Sequence, residues 1–182
     1  MRKIILTFGL IAGAIMSVMM VITMTLVGRI DFDKGEVIGY TSMVVAFLMV
    51  FFGVKSYRDN VAGGEIKFGR AFLVGLAITA VASMCYVATW EVLYYKVWPD
   101  FPEKYAAHQI ERARASGATE AEIAVQQQQM EKFKILYKNP IINAAISFLE
   151  PLPVGLILTL VTAGVLRKRK SSEVVDAVGV RI

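Results

Sequence analysis

Residues Ile141–Leu166, reading IINAAISFLEPLPVGLILTLVTAGVL, decide the fold. The stretch is apolar over nearly all of its 26 residues, long enough to cross ~30 Å of hydrocarbon at ~1.5 Å per residue. Glu150, Pro151 and Pro153 interrupt it. A carboxylate at that depth costs about 2.5–3.5 kcal/mol on insertion scales. Each proline removes a backbone donor and crowds the carbonyl four residues back, here those of Ser147 and Leu149. The residue before a proline, Glu150, is also pushed away from helical geometry. A helix starting after the prolines would cover only ~21 Å, so the upstream part is needed for a full span. The expectation is a kinked or broken membrane helix with one acidic group at the break.

Working outward, three more stretches qualify as spans. They are residues 4–27, 37–54 and 71–95, and none contains Lys or Arg. The 56% hydrophobic content is far above the pattern of a soluble domain. The fold class that follows is all-α: a polytopic four-helix transmembrane bundle forming one domain over residues 1–170. Met1-Arg2-Lys3 before an apolar run imitates a secretory signal, but the run is too long and lacks a small-residue exit, so it reads as a retained anchor. A single cysteine, Cys85, excludes an internal disulfide.

The net charge of +5 is distributed at the span ends, which specifies topology and makes no nucleic-acid surface. On the side of the two termini, eleven Lys and Arg stand against four acidic residues; on the other side nine stand against nine. The basic excess marks the cytoplasm, so both termini are expected inside the cytoplasmic membrane. Between Lys96 and Asn139 lies the sizeable polar segment, expected to be an extracytoplasmic helical hairpin. Pro102 suits a first helical turn, Gly117 a C-terminal cap, and Thr119 with Glu122 a capping box. Ile123, Met130, Phe133 and Tyr137 then form a one-sided apolar stripe. Residues 171–182 lack pattern and are expected to be a disordered cytoplasmic tail.

Glu150 and Glu91 both fall in the outer half of the bilayer, on segments flanking the hairpin. Together with Ser147 and Asn143 they form a candidate polar site open to the outside, able to hold a proton, a cation or an amine, as broken helices do in transporters. Lys96, Asn143, Arg29, Lys34 and His108 are the nearby candidates for pairing with the carboxylates. The blander readings are that Glu91 snorkels to the interface and that Glu150 makes a structural hydrogen bond. Small residues at four-residue intervals (Gly9, Gly13 and Ser17; Gly75 and Thr79; Gly155) form candidate packing faces. They serve either contacts within the chain or, at Gly9 and Gly13, a dimer. Lys55, Tyr57, Arg58, Asp59, Lys67 and Arg70 mark a short cytoplasmic link, either a plain turn or a docking loop for a partner. His108 stands without a second metal-type ligand, and no nucleophile–base pair can be assembled. Neither a cofactor nor an enzymatic activity is expected.

The K-S-Y-R-D of Lys55–Asp59, the Gly63-Gly64 pair, the F-G-R-A-F of Phe68–Phe72 and Gly75 carry a resemblance, continued by Asn139-Pro140, Glu150, Pro153-Val154-Gly155 and the basic ending. In these the chain resembles the domain of unknown function 4199 family of small bacterial membrane proteins. The resemblance implies four spans with a helical outer loop in the cytoplasmic membrane of a Gram-negative bacterium. It brings no activity, cofactor or catalytic residue. The leading expectation is thus a non-enzymatic interaction, scaffold or accessory subunit, with the bilayer and a membrane-protein partner or a second copy as its contacts. The alternative is a small proton- or cation-coupled carrier or channel component that uses Glu150.

Overall fold

The computed structural model describes residues 1–26 and 32–167. Among them the chain forms seven helices and no strand: α1 (Arg2–Leu26), α2 (Phe32–Asn60), α3 (Phe68–Lys96), α4 (Phe101–Ala115), α5 (Glu120–Tyr137), α6 (Pro140–Leu149) and α7 (Leu152–Leu166). Four helical stretches are long and apolar enough to cross a membrane: α1, α2, α3, and α6 with α7 as one span of 27 residues. The all-α four-span architecture expected from the sequence is therefore the observed one.

The bounds differ from the sequence reading in an instructive way. Residues 37–54 look like the shortest span, yet α2 is 29 residues long, equal to α3. Hydropathy marks where lipid begins, not where a helix stops. Nothing from Asp33 to Glu36 or from Lys55 to Asn60 forbids helix, so α2 extends beyond the apolar stretch at both ends. Most of the expected link is consequently helical. The chain turns at Gly63 and Gly64, whose φ of 71° and 88° are left-handed conformations that a side chain would disfavour. Tyr57 is buried in the core and leaves the docking group, whereas Lys55, Lys67 and Arg70 remain exposed. Arg58 pairs with its neighbour Asp59 at 2.7 Å.

In the bundle α1 packs against α2 and α3, and α7 packs against the same two helices from the other side. Small residues make these contacts close. A methyl at Gly9 would overlap Val81, and one at Gly13 would overlap Cys85. Ser17 accepts a hydrogen bond from the Thr89 hydroxyl at 2.7 Å. The Gly9–Gly13 face is thus filled by α3 of the same chain, which removes the basis for a dimer there. Across the bundle, a methyl at Gly75 would strike Thr159 and one at Gly155 would strike Thr79. The Thr79 and Thr159 hydroxyls, both fully buried, lie 3.2 Å apart. Phe47, Val50 and Ile78 are 0% exposed around them, so this part of the bundle is dry and filled.

The hairpin closes the opposite end. Gly117 ends α4 at φ 82°. Thr119 caps α5 through the expected box, its backbone N–H donating to Glu122 at 2.7 Å and its hydroxyl accepting from the Glu122 N–H. Ile123 and Tyr137 are buried and Met130 and Phe133 half-buried, as the stripe predicts. Tyr137 packs on Tyr94 (5.5 Å) and Phe133 (4.9 Å), while Phe101 meets Trp90 at 4.7 Å; these rings fasten the hairpin to α3. Asn139 then caps α6, accepting from the Ile141 N–H at 3.0 Å.

Candidate functional site

At the break the backbone dihedrals stay closer to helical than the two prolines suggest. Glu150 has φ −59° and ψ −51°, and Pro151 has −78° and −13°, both near helical values. The expectation that Pro151 would drive Glu150 out of the helical region is corrected here. The pre-proline clash is absorbed in a helix that continues in dihedral terms while lacking the two proline donors. Position matters more than angle. α7 packs on both α2 and α3, whereas the main neighbours of α6 are α3 and α5. Above Glu150 the fourth span leans on α3, and a gap remains on the α2 side.

That gap is a cavity of about 220 Å³. Methionines of α1 form one wall, and residues 35–43 of α2 another. Tyr86 of α3 and Glu150 stand at the break, and Tyr105, His108 and Gln109 of α4 cover the hairpin side. Tyr86 donates its hydroxyl to Glu150 Oε2 at 2.8 Å. Among the described residues no Lys, Arg or His reaches Glu150, so the expected pairing with Lys34, Lys96 or His108 is replaced by a phenol. Arg29 lies outside the described residues.

The second carboxylate in the cavity is Glu36, one helical turn before Tyr40. Its partner is Arg112 of α4 at 3.9 Å, which also reaches Asp33 at 3.4 Å. His108 meets Asp33 at 3.2 Å and stacks on Phe32 at 5.0 Å. Side chains at the start of α2 therefore hold α4 over the cavity. Burial pushes the Tyr105 phenol above its ordinary value, helped by the nearby Glu36 charge.

The other candidates lie elsewhere. Asn143, Ser147 and Glu150 share one face of α6, at spacings of four and three. Asn143 Oδ1 accepts from Trp90 Nε1 at 3.1 Å and from the Ser147 hydroxyl at 3.3 Å. The pair Trp90–Asn143 and the pair Tyr86–Glu150 thus join α3 to the antiparallel α6 at two successive levels. Asn143 is fully buried and its Nδ2 has no partner. Its carbonyl oxygen links the two helices, and the cavity does not include it. Glu91 is also absent from the lining. Five residues beyond Tyr86, it points roughly 140° away around α3, and its Oε1 is buried without a partner. The freed carbonyls of Ser147 and Leu149 do not line the cavity either.

Sequence reading alone missed Tyr86, Glu36, Tyr40 and Tyr105. Glu36 and Tyr40 carry one faint signal, an acid and a phenol one turn apart at the end of a span. Tyr86 has none, because its neighbour is decided by the packing of α3 on α6. Among the described residues no three His, Cys, Asp or Glu side chains converge as a metal site.

A four-span bundle with a helical cap and a cavity beside an intramembrane carboxylate defines a small integral membrane protein. It belongs to DUF4199, a family described as protein of unknown function, whose profile matches residues 7–168. No curated protein and no solved structure matches the chain.

Proposed function

We propose that this membrane protein binds a small cationic solute, non-enzymatically, in the cavity beside Glu150, with the hairpin on the extracytoplasmic face of the cytoplasmic membrane. The observation that carries the reading is an intramembrane carboxylate that opens onto a cavity and has a phenol, not a cation, as its polar partner. An ionised group in that position is costly unless a counter-charge joins it. A solute supplies the counter-charge that the described residues do not. Of the two roles the sequence suggests, accessory subunit and cation-coupled component, the cavity favours the second. The placement of the hairpin outside rests on the basic excess at the terminal side of the spans.

Thermal unfolding of the purified protein in detergent, as salts of inorganic and organic cations are titrated, tests the reading. The wild-type midpoint should rise with at least one cation, by mass action, and the Glu150→Gln midpoint should not. Coincident curves for the two proteins with every cation would remove it. Reporter fusions at Glu120 and Val175 check the orientation, which requires the two in different compartments.

A further inference from the structure

The lining also bears on the kind of cation. Resting on the reading that the cavity binds a cation, we infer that its ligand is a small organic ammonium ion, a protonated or quaternary amine with an apolar body. Three observations carry the inference.

The first is size. At about 220 Å³ the cavity holds several times the ~30 Å³ that one water occupies in the liquid, yet falls short of the ~300 Å³ where drug-sized pockets begin. A proton moving onto Glu150 requires no such space. The second is the character of the wall. Six aromatic side chains line it, among them Tyr40, Tyr86, Tyr105 and Trp98, together with four methionines. Ring faces attract ammonium groups and thioethers adapt to irregular apolar shapes, so a wall of this composition suits a cation that carries carbon. The third is charge. Glu150 and Glu36 both face the space, no Lys or Arg among the described residues lines it, and the one basic side chain that does, His108, is directed to Asp33 at 3.2 Å. Tyr86 engages Glu150 Oε2, which leaves Oε1 for a ligand.

A bare metal ion fits these facts less well. Calcium takes six to eight oxygens at 2.3–2.6 Å and magnesium an octahedron at 2.0–2.1 Å. Here two carboxylates stand among phenols, thioethers and ring carbon, and one of the carboxylates already has Arg112 at 3.9 Å. The lining thus places charge at two points and apolar surface between them. An ammonium group beside Glu150, with its carbon body against Tyr40 and Tyr105, satisfies both.

The test is calorimetric titration of the full chain in lipid nanodiscs at constant ionic strength. The probes are tetramethylammonium and benzyltrimethylammonium chloride, with sodium and calcium chloride as comparisons. Saturable binding of the quaternary ions, and none of sodium or calcium, is expected. Glu150→Gln should weaken the binding at least tenfold. Tyr105→Leu should weaken it about tenfold and Tyr105→Phe far less, since the ring and not the hydroxyl is invoked. Binding of sodium or calcium alone, lost in Glu150→Gln, would overturn the ammonium assignment and leave the cation-binding reading standing. Absence of Glu150-dependent binding for all four probes would overturn both. Wild-type affinity in Tyr105→Leu would overturn the part given to the α4 ring.

Discussion

At Gly155 the backbones of α3 and α7 lie so close that a single added methyl would overlap Thr79, with Phe47 also in contact. At Glu150, five residues and ~7.5 Å back along the same span, the walls stand apart around 220 Å³ of space. The fourth span thus packs differently in the two halves of the bundle. In lipid no hydrophobic force draws helices together, so stability comes from close van der Waals contact and from a few interhelical hydrogen bonds. The half around Thr79 and Thr159 supplies that contact. The half around Glu150 keeps it between α1 and α3, at Gly13 and Cys85, but gives it up between α2 and the fourth span, where the rings of the hairpin and the α3–α6 hydrogen bonds hold the chain instead. Close packing of the fourth span and the proposed site thus fall at different levels of the bundle.

Substitutions can break that division. The largest effect is expected from Gly155→Leu, which forces a side chain against Thr79 and Phe47 and should cost about 3 kcal/mol or abolish folding. Tyr40→Leu, at a side chain 44% exposed, should change stability by under about 0.5 kcal/mol in the same denaturation assay. Similar losses at both positions would erase the distinction. Next comes Asn143→Ala, which removes the acceptor shared by the buried Trp90 indole N–H and the Ser147 hydroxyl and should cost about 2 kcal/mol. An accompanying red shift in tryptophan fluorescence would show that the α3–α6 joint had opened.

The Thr79–Thr159 contact sharpens the comparison from the other side. Thr79→Val removes one hydroxyl of a buried pair and should cost only about 0.6 kcal/mol, the usual size for interhelical hydrogen bonds in membrane bundles. A loss of several kcal/mol would mean that polar bonding, not backbone proximity, holds the filled half. Smallest is a pH effect on the hairpin. The Thr119 backbone N–H holds the Glu122 carboxyl below its usual range. A depressed carboxyl contributes stability above the unfolded value of about 4.3, and loses it as pH falls through the depressed one. Glu122→Gln keeps the capping bond without the titration. The variant should show a flatter far-UV signal than the wild type between about pH 5 and pH 3.

How much of this was open to sequence reading follows the range of the interactions. Spans, hairpin, the box at Thr119 and the turn at Gly117 depend on residues within a few positions of one another, and all are found. The small residues Gly9, Gly13, Gly75 and Gly155 were recognisable as packing positions, but their partners Val81, Cys85, Thr159 and Thr79 come from other helices. Glu150 stood out because a charge in an apolar run is conspicuous. Its partner did not, since a tyrosine in such a run is unremarkable. Glu91 was grouped with Glu150 because both fall in the outer half of the bilayer. Rotation about α3 separates them, and depth carries no information about rotation.

The position of Glu150 along its span has an electrical consequence. It lies ten residues beyond Pro140 in a span of 27 residues, so a monovalent ion reaching it from the hairpin side traverses roughly a third of the hydrocarbon thickness. With the far side negative, a full crossing is worth about 2.3 kcal/mol per 100 mV, and a third of it about 0.8 kcal/mol. Occupancy of such a site by a cation would therefore rise and fall with the membrane potential, roughly fourfold per 100 mV.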